Sequence, residues 1–306
     1  MFLFLLKTEV KEVRIIFRNW NRGILDFFGD LMEWMVGMIS NLLTMSPQAF
    51  SPDAFAVSQV IGTGLAPFAV YIMIILWGID FLGSALSFSD KPLESLVRLV
   101  FMLGMGIVFT HVSFFLVMGL FSVFGSIITG MADMTGMIDF SAMTDNTRAM
   151  IDEQSGLGLT SWSYEMGNTE NMILFVFLVF SMLSFFGMFL GMILVPIAIF
   201  VELYIYAAFS PIPIATLFTG QKQVGISFIK LVISVCLRGA LVLFGINIAF
   251  HILASDLFST TGVFELTGFW RFLGPVITIS ISIMILQKCI KGAETFAKQI
   301  TGATGS

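Results

Sequence analysis

Apolar residues along this chain run in blocks too long for a water-soluble fold. Five stretches, 60–85, 93–131, 171–209, 226–252 and 269–288, each hold enough consecutive apolar residues to cross a bilayer, for which about 20 suffice. Two runs are longer than one crossing needs: residues 99–131 and 172–201 contain no Asp, Glu, Lys or Arg. A helix over 171–209 would measure roughly 58 Å against a hydrocarbon core of about 30 Å. Each long run is therefore a crossing with an extension, or a tight hairpin. Pro196 with Gly187 and Gly191 offers a bend in the later run, and His111 marks a possible break in the earlier one.

The first 45 residues follow a different pattern. Val10, Val13, Phe17, Trp20, Ile24, Phe27, Leu31, Trp34 and Met38 recur at three- and four-residue spacing, which predicts an amphipathic helix. Its opposite face is basic at first, with Lys11, Arg14, Arg18 and Arg22, and then acidic, with Asp26, Asp30 and Glu33. Two placements follow. Either the helix lies on the membrane surface, or residues 24–45 cross as a sixth span with the basic start inside. Pro47 and Pro52 close the segment and open a linker to residue 59.

Composition agrees with a membrane class. Of 306 residues, 57% are apolar and 11% are charged, where a globular chain carries about 25% charged residues. The net charge of −5 gives no general affinity for nucleic acid, so any such contact needs a local basic strip. Charge along the loops sets the sidedness. Residues 132–170 hold Asp133, Asp139, Asp145, Asp152, Glu153, Glu165 and Glu170 against Arg148, and 253–268 hold Asp256 and Glu265. Lys91 and Arg98, then Lys222 and Lys230, then Lys288, Lys291 and Lys298 mark the basic regions. Lys and Arg favour the cytoplasmic side. One crossing per long run puts every basic region inside and both base-poor loops outside. The expected fold is all-α: a polytopic transmembrane protein of about five spans plus an N-terminal amphipathic helix. Its parts are residues 1–59, a first membrane region 60–131, an acidic extracytoplasmic loop 132–170, a second membrane region 171–290 and a cytoplasmic tail 291–306.

The chemistry to be expected is sparse. The sequence contains no phosphate-binding loop of the G-x-x-x-x-G-K-[ST] kind, no H-E-x-x-H and no G-x-S-x-G, so neither a motor nor an enzyme is expected. Two histidines and two cysteines, Cys236 and Cys289, fall in apolar runs and suit burial better than a metal or a disulfide. No cofactor and no metal are expected. The informative groups are charges inside the spans, because at that depth they face a partner or water. Glu202 and Arg238 lie about 10 and 18 Å from the inner ends of their helices, within reach of pairing. Asp80 lies near the inner end of the first span, close to Lys91 and Arg98. Ser184, Gly187 and Gly191 form a small-residue strip suited to close helix packing, inside the chain or between subunits. Pro211 and Pro213 should stop the third span at the cytoplasmic face. That gives a fixed turn ahead of Lys222 and Lys230, where a coupling subunit can dock.

Two stretches carry a family likeness. Residues 202–216, ELYIYAAFSPIPIAT, are followed by a short polar loop and by 227–241, SFIKLVISVCLRGAL. With DKPLESLVR at 90–98, this resembles the TrbL-like polytopic inner-membrane channel subunit of type IV secretion and conjugation machines. The family's Pro-containing turn, polar loop and Lys-led helix match Pro211, Pro213 and Lys230, and the likeness is strongest over 201–252. It implies a channel or scaffold subunit in a bacterial cytoplasmic membrane, oligomeric, with an inside C-terminus. Its partners would be other secretion-machine membrane subunits and cytoplasmic ATPases, and its transient cargo a DNA–protein substrate. The competing expectations are a self-contained secondary transporter and a non-conducting membrane scaffold.

Overall fold

The computed structural model describes residues 2–86, 92–135, 168–253 and 274–302. Among these residues every regular element is a helix: α1 Phe2–Thr44, α2 Pro47–Phe50, α3 Pro52–Leu86, α4 Pro92–Thr135, α5 Asn168–Phe209, α6 Pro211–Thr216, α7 Lys222–Leu253 and α8 Gly274–Thr301. Four contain segments long and apolar enough to cross a membrane: Pro52–Gly83, Val97–Met131, Phe175–Phe209 and Lys222–Ala249. The fifth expected span, 269–288, begins outside the described residues, and the rest of it forms the first half of α8. Most of the 132–170 and 253–268 loops also lies outside them.

Both long apolar runs are single helices, of 44 residues in α4 and 42 in α5, or roughly 66 and 63 Å. Neither is a hairpin. Pro196 lies inside α5 and Pro67 inside α3 without ending either helix. A proline costs its helix one hydrogen bond, a cost that membrane helices tolerate.

Contacts divide the chain into two compact units. Unit 1 is Met1–Ser40, Asp133–Leu194 and Leu243–Lys291, and unit 2 is Asn41–Ala132, Val195–Val242 and Gly292–Ser306.

In unit 1, α1 packs lengthwise on α5. Trp20 meets Phe175, Phe28 meets Phe185 and Trp34 meets Phe189, with ring centroids 5.5, 4.9 and 5.6 Å apart. Numbers rise together on the two helices, so they run parallel. Residues 20–34 thus lie along α5. The start of α1 lies at the same end as the start of α5, the end that the acidic 132–170 segment leads into.

The buried stripe of α1 also differs from the expected one. Phe28, Met32, Met35, Val36 and Ile39 are buried, while Trp20, Phe27 and Trp34 are about half exposed. From residue 24 onward apolar side chains occupy most of the circumference, so spacing alone does not select the packed face. The large rings stand at its rim.

In unit 2, α3 and α4 are antiparallel. Phe55 packs on Phe114 near the start of α3, and the Trp77 indole N–H donates to the Leu99 carbonyl at 2.9 Å near its end. The end of α5 and all of α6 run beside α3. The Ala207 and Ala208 carbonyls approach Gly62, Ala215 packs with Ala69 and Met73, and the Gly220 N–H donates to Asp80. From Gly62 to Asp80 this path follows roughly 27 Å of the α3 axis.

The proline turn is therefore not an exposed stop at the end of a span. Pro211 and Pro213 open a new six-residue helix, α6, whose Pro211, Ile214, Ala215 and Thr216 are buried against the middle of α3. Proline is well placed at a helix start, where its missing N–H leaves no bond unmade. α5 and α6 thus form one interrupted helix, and α7 returns antiparallel beside α5.

Candidate functional site: a charge cluster beside an interrupted helix

Irregular backbone at membrane depth must satisfy its own polar groups or be covered by protein. The turn after α6 does both. The Leu217 N–H donates to the Ile214 carbonyl at 3.1 Å, and the Thr219 N–H donates to the Thr216 carbonyl at 3.2 Å. The Thr216 hydroxyl donates to the Pro213 carbonyl at 2.7 Å and the Thr219 hydroxyl to the Thr216 carbonyl at 2.9 Å. The Thr219 hydroxyl also accepts from the Gln221 N–H at 3.3 Å. At the upstream end, Pro211 cannot bond the Ala207 carbonyl. Ser210 replaces it, donating its hydroxyl at 2.8 Å and its N–H at 3.4 Å.

Close approach makes two glycines necessary. A Cβ on Gly225 would lie 2.4 Å from Leu217 Cγ and 2.6 Å from the Pro213 carbonyl oxygen. One on Gly106 would lie 2.5 Å from Met73 Sδ and 3.0 Å from Phe218 Cβ. Gly225 lets α7 start against α6, and Gly106 lets α4 lie against the Met73–Phe218 contact.

Four charged groups of unit 2 form one cluster. Arg238, 7% exposed, is set by α7 among buried Val235, Cys236 and Val242. Its guanidinium donates to the Glu202 carboxylate of α5. A second carboxylate, Glu294 of α8, stands 3.8 Å from the same guanidinium. Lys298, one turn on, donates to Glu294 at 2.8 Å. Two carboxylates and two cations make the cluster neutral, the condition under which charge persists among apolar helices.

Sequence reasoning finds Glu202 and Arg238 but not Glu294 or Lys298, which it assigns to a tail. Residues 291–301 continue α8. Ala293 and Ala297 are buried, and Lys230 approaches Gly302 of the same unit, 3.6 Å from where a Cβ would stand. The signal was present in Ile290, Ala293 and Ala297 at three- and four-residue spacing and in the i,i+4 pair Glu294 and Lys298.

The remaining candidates are dispersed. Asp80 accepts from the Gly220 backbone and so ties the interruption to α3. Arg98 is exposed, and Lys91 lies outside the described residues. Lys222 and Lys230 are not buried on α7. Ser184, Gly187 and Gly191 lie off the buried face of α5, and a Cβ on either glycine would meet nothing within 4 Å. Among the described residues neither glycine makes a close helix contact. His111 and His251 are exposed. Among the described residues no group of His, Cys, Asp and Glu is placed to hold a metal ion. No protein-family model, curated protein or solved structure matches the chain.

Proposed function

We propose that this chain is a channel or scaffold subunit of a type IV secretion machine in a bacterial cytoplasmic membrane, working with partner membrane subunits and driven by partner ATPases. One observation carries the reading. The stretch that resembles the TrbL-like family, 201–252, is the stretch that forms the end of α5, α6 and α7 with Glu202 and Arg238. The family likeness and the least ordinary part of the fold thus coincide. Exposed large apolar side chains along all four spanning helices, among them Val60, Phe101, Leu183 and Phe244, suit contact with lipid and with other subunits. Deleting the chain from a donor cell should abolish transfer of a mobilisable plasmid while relaxase and ATPase levels stay unchanged, and a wild-type copy should restore transfer. Undiminished transfer without the chain sinks the proposal.

The interruption at α6 favours a second reading. Discontinuous helices near mid-membrane commonly build the binding sites of secondary transporters. On this reading the chain moves a small solute alone, and liposomes holding only this protein test it directly. Solute uptake under an ion gradient by the purified chain would support it. Flux no greater than in empty liposomes would remove it.

A further inference from the structure

We infer that the polar flank of the C-terminal half of α8, carrying Glu294, Thr295 and Lys298, faces an aqueous lumen at membrane depth. The inference rests on the channel reading above and assigns its water-facing surface.

The first ground is depth. Arg238 lies near the middle of the α7 spanning segment Lys222–Ala249, and Glu294 is 3.8 Å from it. The charged half of α8 therefore stands beside the middle of a helix long and apolar enough to cross the bilayer. The second ground is exposure. The Glu294 and Lys298 side chains are 46% and 45% exposed, and Glu202 is 36% exposed, whereas Arg238 between them is 8% exposed. Hydrocarbon does not cover half-exposed carboxylates and ammonium groups, since charges at that depth turn to water or to a partner. The third ground is the helix itself. Ala293 and Ala297 are buried, and Phe296 and Ile300, on one flank, are 52% and 58% exposed and apolar. Glu294 and Lys298 occupy the other flank. One helix thus offers lipid and water a different side at a single depth.

Residues on the two flanks serve as controls for each other. In a background lacking Cys236 and Cys289, cysteines at Thr295→Cys, Lys298→Cys, Phe296→Cys and Ile300→Cys are exposed to a charged, membrane-impermeant thiol reagent. The reagent is supplied to both sides of native membranes. Each variant is first checked for the wild-type elution volume in detergent. Cysteines at 295 and 298 should react about tenfold faster or more than those at 296 and 300, because an apolar setting suppresses the thiolate. Equal, fast labelling at all four would place the segment outside the bilayer and overturn the inference. Slow labelling at all four would show that no water reaches the segment, and would overturn it equally. Plasmid transfer, measured separately, judges the channel reading, so the two failures are distinguishable.

Discussion

At the scale of single residues, Arg238 has the most contacts to lose. It is buried and bridges α5 to α8 through Glu202 and Glu294. Arg238→Ala removes the cation and leaves two neighbouring carboxylates facing each other. We expect a loss of about 1–3 kcal/mol, below the range for a fully buried pair because both carboxylates are partly exposed. Thermal unfolding in detergent measures it. The exchanged pair Glu202→Arg with Arg238→Glu should recover part of what either single reversal loses. If the double variant is as unstable as the sum of the singles, the pair is not what holds these helices.

At the scale of elements, the sequence makes the spanning helices legible and leaves the interruption hidden. Runs free of charge, such as 99–131, announce helices because nothing else satisfies a backbone in lipid. Pro211 and Pro213 are ambiguous for a physical reason: proline ends one helix and begins another with equal ease. Only the burial of Ile214 and Ala215, the latter against Ala69 and Met73, shows that a second helix starts there. The face of α1 is hidden for a related reason, since apolar residues on most sides offer several stripes. Glu202 and Arg238 are legible because each is a lone charge in an apolar run. Glu294 and Lys298 are not, because a charged segment after a span reads as a tail. Two kinds of glycine substitution separate the elements. Gly225→Val drives a side chain into Leu217 and the Pro213 carbonyl, and should cost about 1–3 kcal/mol or block folding. Gly187→Ala and Gly191→Ala meet open space and should leave thermal stability unchanged or slightly raised. Destabilisation of the monomer by these two would show that the strip packs inside the chain after all.

At the scale of the whole molecule, the architecture is a polytopic helical chain with four helices long and apolar enough to cross a membrane. An additional long helix, α1, packs along one of them. Polar groups that lipid cannot cover accompany the apolar surface that lipid can. On the function proposed above, lipid would cover one kind of surface and neighbouring subunits the other. The most direct test is the mass of the purified chain reconstituted in lipid nanodiscs wide enough for several copies. A multi-copy subunit predicts particles that hold several copies of the chain. A population with a single copy per nanodisc across the accessible protein concentrations would contradict it.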